Sequence, residues 1–129
     1  MATQRDVIAG PDVPTPLGPY SPGVRAGDTL YVSGQAGTDP ATGEAAGATM
    51  ADQARQAFRN VEAVLRAGGS RPELVVNVTV LVADISEFAL VNEVFAETFP
   101  TDPPTRMTMQ VPLPKGLLIS VGCVALVDG

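Results

Sequence analysis

Apolar residues recur at helical spacing in the middle of the chain. Thr49 is a typical helix start, and Asp52 follows it three residues later in a capping-box-like arrangement. The pair Gly68-Gly69 is a typical helix end. Between these signals, one face of the predicted helix carries Ala54, Phe58, Val61 and Leu65. The pattern therefore predicts an amphipathic helix that packs on a core through this face.

A second helical pattern follows in the last third of the chain. Either Asp84 or Ser86 caps its start, and Pro100 stops it because proline cannot donate the next backbone hydrogen bond. The stripe predicted to be buried comprises Phe88, Val91, Phe95 and Phe99. The sequence thus predicts two helices, each with one apolar face.

Alternation with a period of two predicts strands on both sides of these helices. The expected strands are a short one near 6–9, one that enters a hairpin turn at 26–29, and then 29–33, 73–84, 105–111 and 117–127. The short connection at 112–116 favours an antiparallel pair of the last two strands. Two helices on one face of a mixed sheet predict a single two-layer α+β domain over residues 1–129.

The second face of this sheet carries a mixture of polar and apolar residues. In the strand at 73–84, one side carries Leu74, Val76, Val78, Val80 and Val82, and the other carries Val75, Asn77, Thr79 and Leu81. In the strand at 105–111, Met107, Met109 and Val111 lie opposite Arg106, Thr108 and Gln110. We place Asn77, Thr79 and Leu81 on one face with Arg106, Thr108 and Gln110, and expect a subunit interface there.

The composition restricts the possible chemistry. Fourteen acidic residues against eight basic ones give a formal net charge of −6, and the basic residues are scattered, with Lys115 as the single lysine. Since nucleic-acid affinity depends largely on neutralising phosphates, we expect no nucleic-acid partner. Histidine is absent, which excludes histidine metal sites and Ser-His triads. Catalysis must then come from arginine, tyrosine, carboxylates, hydroxyls, backbone groups or water.

Cysteine content and apolar runs indicate a cellular setting. Cys123 is the one cysteine, so an intrachain disulfide is impossible, and its apolar run predicts a core position. The first ten residues lack the apolar core of a signal peptide. Apolar runs such as 117–127 are too short to span a bilayer. We expect a soluble cytoplasmic protein without membrane contact.

Seven short motifs follow one another along the chain. They are GPYSPGV at 18–24, LYVSGQ at 30–35, ATGE at 41–44, QARQAFRNVEAVL at 53–65, VADISEFALVNEVF at 82–95, PPTR at 103–106 and LPKG at 113–116. In this order and at these spacings the chain resembles the Rid family of reactive-intermediate (enamine/imine) deaminases. That family is also known as YjgF, endoribonuclease L-PSP or translation initiation inhibitor. The resemblance implies a chorismate-mutase-like fold, a homotrimer and ligand sites in clefts between subunits.

The resemblance also implies a reaction. Family members hydrolyse 2-imino acids, formed from enamines such as 2-aminoacrylate, to 2-keto acids and ammonia, and we expect no metal and no cofactor. Arg106 matches the arginine that clamps the substrate carboxylate in these proteins. A planar guanidinium suits this role because it donates two parallel hydrogen bonds to a carboxylate. Holding the substrate beside a bound water supplies much of the rate through positioning alone.

Further matches fall on residues near the expected cleft. Tyr20 matches a tyrosine that reaches into the cleft from a neighbouring loop, where its hydroxyl would bond substrate or water. Ser33 matches a site serine, and Gly34 beside it allows close backbone approach. Thr108 stands where many members carry cysteine, lining the carboxylate or water site. Asn92 matches a cleft-side asparagine.

One position departs from the family pattern. Many deaminases of the family carry a glutamate in the last strand that holds the attacking water, and alignment through LPKG places Gly122 there. Losing a general base typically costs about 10²–10⁴-fold in rate. Two interpretations stay open: clamping plus a water held by a backbone carbonyl suffices, or Gly122 widens the pocket and the reaction is altered or absent. The alternatives are thus a non-catalytic trimeric protein that binds small carboxylates, and a specialised pathway deaminase with another substrate.

Overall fold

A computed structural model describes residues 4–128 of the chain; residues 1–3 and 129 of the expected domain lie outside the described residues. Over the described residues, the elements are β1 (Asp6–Val7), β2 (Gly23–Ala26), β3 (Thr29–Ala36), α1 (Met50–Ala67), β4 (Val75–Val82), α2 (Phe88–Thr98), β5 (Thr105–Gln110) and β6 (Ile119–Leu126). Short 3₁₀ turns cover Pro72–Leu74, Ile85–Glu87 and Pro114–Gly116. The predicted α+β class, with two helices and a mixed sheet, is confirmed.

The strands form one sheet in the order β1-β2-β3-β6-β4-β5. β4 and β5 pair in parallel and are joined through α2, whereas the other neighbouring strands pair antiparallel. The predicted antiparallel pairing of the last two strands is therefore wrong. β6 lies between β3 and β4, which leaves both of its backbone edges hydrogen-bonded, and its alternate residues are buried in the core.

Both helices begin near the predicted signals. Thr49 Oγ1 accepts a hydrogen bond of 3.2 Å from the Asp52 amide, and the predicted face of α1 is fully buried. Asp84 caps the 3₁₀ turn before α2 by accepting from the Ser86 amide at 2.9 Å, and its hydrogen bonds with Ser86 lower the pKa of the Asp84 carboxyl. In α2 the stripe prediction fails at one residue, since Phe88 is 43% exposed.

The core lies between the two helices and one face of the sheet. Val78, Val80 and Val82 of β4 point into it, but a register shift between Val75 and Asn77 reverses the alternation at the start of the strand. Val75 is consequently buried and Val76 is 47% exposed, so the predicted side of both residues is wrong. Leu74, predicted on the core side, is half-buried in the turn before β4.

The register of β4 and β5 corrects the predicted second face of the sheet. Val78 pairs with Arg106, and Val80 with Thr108. Since paired residues on neighbouring strands point to the same side, Arg106 and Thr108 lie on the helix side. The open face carries Asn77, Thr79 and Leu81 together with Tyr31, Met107, Met109 and Leu126. Of these, Tyr31, Met107, Met109 and Leu126 are large apolar side chains exposed in the single chain.

The prediction of a core cysteine is confirmed. Cys123 is a free, buried thiol on the helix side of β6, and burial raises its pKa to about 12. Such a thiol stays protonated at neutral pH, which makes it a small packing group. Within residues 4–128, no helix combines the length and the apolar character needed to cross a bilayer.

Candidate functional site

Arg106 lies on the edge strand β5 and rests on α2. Its guanidinium donates a hydrogen bond of 2.6 Å to Asn92 Oδ1. The guanidinium carbon lies over two aromatic rings, 5.2 Å from the centroid of Phe88 and 4.8 Å from that of Phe95. These three partners occupy positions i, i+4 and i+7 of one helix, so a single stripe of α2 holds the side chain. We call Arg106, Asn92, Phe88 and Thr108 the arginine cluster.

The charge of Arg106 is left without a carboxylate partner in the described part of the chain. Arg55, Arg66 and Arg71 each form an ion pair there, whereas Arg106 has only the neutral oxygen of Asn92. Partial burial lowers the pKa of Arg106, although an arginine remains charged at neutral pH. Apart from the N–H group bonded to Asn92, the guanidinium donors have no partner in residues 4–128, and a held, partly desolvated cation of this kind is suited to binding an anion.

Thr108 adds a second unsatisfied group to the arginine cluster. It lies two residues after Arg106 on the same side of β5, so the Cα atoms of the two residues are about 7 Å apart. Its Oγ1 is fully buried and has no hydrogen-bond partner among residues 4–128. A buried hydroxyl of this kind costs roughly 1–3 kcal/mol unless it is bonded, so the position favours a polar ligand atom.

A second group of predicted residues surrounds β3 and the loop before it. Ser33 Oγ donates to the Ser21 carbonyl at 2.6 Å, and the Ser33 amide donates to the Pro22 carbonyl at 2.9 Å. Tyr20, which precedes these carbonyls, is 45% exposed, and its hydroxyl accepts from the Leu17 amide at 3.2 Å. The Ser33 hydroxyl therefore uses its single donor to attach the Tyr20 loop to the sheet, and towards a ligand it can act only as a hydrogen-bond acceptor.

Gly34 follows Ser33 at an irregularity in the pairing of β3 with β6, between Val32 and Gln35. A Cβ atom at Gly34 would lie 2.6 Å from Ser120 Oγ, so no side chain fits there without displacing that hydroxyl. Ser120 is a residue that the sequence reasoning missed, although it shares the open side of β6 with Gly122. A Cβ at Gly122 would itself lie 3.2 Å from the Val32 carbonyl.

Tyr20, Ser33, Gly34, Ser120 and Gly122 form what we call the loop cluster. In a single chain it does not meet the arginine cluster. β6 and β4 separate β3 from β5, a distance of about 14 Å at ordinary strand spacing. Ser120 and Gly122 also lie on the open face, opposite to the helix side that carries Arg106. In a single chain the two clusters therefore lie apart from each other.

The fold defines a class: a two-layer α+β domain whose mixed sheet carries two helices on one face. Within this class, the family model described as Endoribonuclease L-PSP matches residues 11–127 of the chain. The chain therefore belongs to this family, known also as the Rid family.

Relatives and solved structures agree with this assignment. A RutC family protein of Pyrococcus horikoshii is 40% identical over 122 residues, covering 94% of this chain and 97% of the relative. A human protein named 2-iminobutanoate/2-iminopropanoate deaminase is 41% identical over 123 residues, covering 95% of this chain and 90% of the relative. The crystal structure of RidA from an Antarctic Psychrobacter superposes with a TM-score of 0.91 at 36% identity, covering 95% and 99% of the two chains.

Proposed function

We propose that this protein hydrolyses 2-imino acids to 2-keto acids and ammonia, in sites that two copies of the chain build together. The observation that carries the proposal is Arg106, a partly buried cation held by Asn92 and two aromatic rings with no carboxylate partner in residues 4–128. The relatives named as 2-iminobutanoate/2-iminopropanoate deaminases, at about 40% identity, support the same chemistry.

In this proposal Arg106 binds the substrate by its carboxylate. The guanidinium gives one N–H to Asn92, and its remaining donors form two parallel bonds to the carboxylate oxygens. Thr108 Oγ1 supplies a further bond to the same end of the substrate, which satisfies that hydroxyl. Because Arg106 cannot swing away from α2 without losing its three contacts, the C=N carbon is presented in one orientation.

The chemical step adds water to the imine carbon. The water oxygen bonds to C2, a proton passes to the nitrogen, and the resulting carbinolamine loses ammonia to leave the keto acid. The loop cluster of a second copy supplies the groups that hold this water: the Tyr20 hydroxyl, the acceptor lone pairs of Ser33 and the Ser120 hydroxyl. Gly122 provides no carboxylate for this purpose, so the step relies on positioning and on the lability of the imine.

The open sheet face supports an assembly in which the arginine cluster and the loop cluster come from different copies. Tyr31, Met107, Met109 and Leu126 are large apolar residues on one exposed surface, and such surfaces are typical of interfaces. We infer that this face packs against other copies in a homotrimer. Assembly through it would bring the arginine cluster of one copy towards the loop cluster of the next, as the separation within one chain requires.

Three alternative functions can be compared with this proposal. Gly122 favours a protein that binds small carboxylates without turnover, because the position expected to hold a base carries no side chain. An RNase activity, as the name of the family model implies, is disfavoured by the net charge of −6 and the absence of histidine. A deaminase dedicated to one pathway is a variant of our proposal with another substrate.

The test is a coupled assay in which 2-aminoacrylate or 2-iminobutanoate is generated by a dehydratase and keto-acid formation is followed. The wild type should accelerate hydrolysis over buffer, and Arg106→Ala should lower kcat/KM by about 10³-fold, because two charge-assisted bonds of roughly 1.5–3 kcal/mol each are lost. Arg59→Ala, which removes an exposed arginine from α1, is the matched control. If wild type matches the buffer rate while 2-oxobutanoate still binds through Arg106, the non-catalytic function replaces this proposal.

A further inference from the structure

Phe88 differs from the other aromatic residue that supports Arg106. Phe95 is buried and packs edge-on against Phe58, with ring centroids 6.1 Å apart, and against Phe99 at 4.8 Å. Phe88 takes part in none of the aromatic pairs in residues 4–128 and is 43% exposed. Phe95 thus belongs to the core, whereas Phe88 keeps a free apolar surface beside the guanidinium.

This free surface lies within reach of anything that Arg106 binds. The guanidinium carbon is 5.2 Å from the Phe88 centroid. A carboxylate held by hydrogen bonds of about 2.8 Å places its own carbon about 4 Å from the guanidinium carbon. The next carbon of the ligand, about 1.5 Å further on, then lies about 5.5 Å from the guanidinium carbon, which is close to the distance of the Phe88 centroid.

We propose that Phe88 is a specificity-determining residue: its exposed ring forms the wall against which the carbon chain of the bound acid packs. The inference rests on the proposed function, because it assumes that the carboxylate is bound at Arg106. Phe95 cannot take this role because it is buried, and Asn92 is occupied by Arg106. Each added methylene on the ligand gains apolar contact with the ring, and longer unbranched chains are preferred over shorter ones.

A chain-length series tests the inference. Imines of alanine, 2-aminobutyrate and norvaline are generated with an amino-acid oxidase, and kcat/KM is measured for wild type, Phe88→Leu and Phe88→Ala. The norvaline-to-alanine ratio should fall about tenfold in Phe88→Ala and remain within about twofold in Phe88→Leu, which keeps an apolar wall. A ratio within twofold of wild type in Phe88→Ala overturns the inference, even where all rates fall together through loss of support for Arg106.

Ile85 is the matched control. It is 42% exposed, lies three residues before Phe88 and takes no part in the hydrogen bond or the cation–π contacts of Arg106. Ile85→Ala should leave the chain-length ratio unchanged, and an equal shift in both variants would assign the effect to general apolar surface and overturn the inference.

Binding separates this inference from the proposed function. Calorimetry compares pyruvate with 2-oxopentanoate on the same variants without requiring turnover. A preference for the longer acid that disappears in Phe88→Ala supports the role of Phe88. This result would hold even if the protein accelerated the hydrolysis of no imine and the proposed deaminase function failed. Equal affinities of the wild type for both acids would overturn the inference about Phe88, even if the protein were an active deaminase.

Discussion

The arginine cluster and the loop cluster prepare their functional groups in different ways. Arg106 is held by contacts from its own chain: a hydrogen bond to Asn92 and two aromatic rings of α2. In the loop cluster, the Ser33 hydroxyl donates its hydrogen bond to the Ser21 carbonyl, and Tyr20 is half-exposed on a proline-rich loop. In our proposal, binding of the acid is therefore encoded within one chain, whereas completion of the site depends on a neighbouring copy.

Mixed oligomers give the sharpest test of this division, with the largest expected effect. Arg106→Ala and Tyr20→Ala should each lose about 10²–10³-fold in kcat/KM, because each removes one half of every site. Co-expressed, the two variants should recover about a quarter of wild-type activity, since random mixing in the trimer that we propose pairs intact halves at one site in four. The activity of purified mixed oligomers is compared with that of each variant alone. Recovery at the level of the separate variants would show that each site lies within one chain.

Asn92 offers a way to change the charge of the arginine cluster while keeping its shape. Asn92→Asp should place a carboxylate 2.6 Å from the guanidinium, occupy it, and lower kcat/KM by about 10²-fold. Asn92→Ala removes one neutral acceptor and should cost only about tenfold through looser positioning. Calorimetric affinity for 2-oxobutanoate should follow the same order. An Asp variant as active as the Ala variant would mean that the charge on Arg106 is not what binds the acid.

Ser33 tests how the loop cluster is held. Ser33→Ala removes the 2.6 Å bond to Ser21 and should lower the free energy of unfolding by about 1 kcal/mol, measured from the urea midpoint. Activity should fall about tenfold as the Tyr20 loop loosens, while the affinity for the keto acid stays near that of wild type. A large loss of affinity instead would place the Ser33 hydroxyl on the carboxylate and remove the contrast between the two clusters.

The smallest effect concerns the sheet between the clusters. Cys123 is buried in β6, and its pKa is raised from 9.0 to about 12. The thiol ionises in the unfolded chain before it ionises in the native one, so its contribution to stability is complete below pH 9 and is lost as the pH rises towards 12. Urea midpoints measured between pH 8.5 and 10.5 should fall more steeply for wild type than for Cys123→Ala. Parallel curves would indicate a thiol that reaches solvent.

The elements of the fold could be predicted because their signals are local. The cap at Thr49, the stripe of α1 and the alternation of β3 each depend on a few neighbouring residues. Strand order could not be read in this way. A short connection at 112–116 favours a hairpin, but Gly116 and the left-handed backbone of Lys115 turn the chain so that β6 enters the middle of the sheet.

The same limit applies to the candidate site. The motif around Arg106 suggested an anion-binding residue, which stays a prediction, but the side of the sheet on which Arg106 lies depends on the parallel register with β4. The resemblance placed Asn92 beside the cleft, and the helical pattern placed Phe88 in the buried stripe of α2. Neither predicted their contact with Arg106, which arises from the packing of α2 on β5. Ser120 had no signal beyond alternation, because its place beside Gly34 follows from the irregular pairing of β3.

The position of β5 at the edge of the sheet has a further consequence, for self-association. An edge strand offers unpaired backbone groups to which a foreign strand can add, and this is a route to aggregation. β5 spans only six residues, with Pro103-Pro104 before it and Pro112 shortly after it, and prolines donate no N–H to a new ladder. The opposite edge, β1, is two residues long. The sheet therefore ends in strands that are short or bounded by proline, which limits uncontrolled strand addition next to Arg106, the residue that we propose binds the ligand.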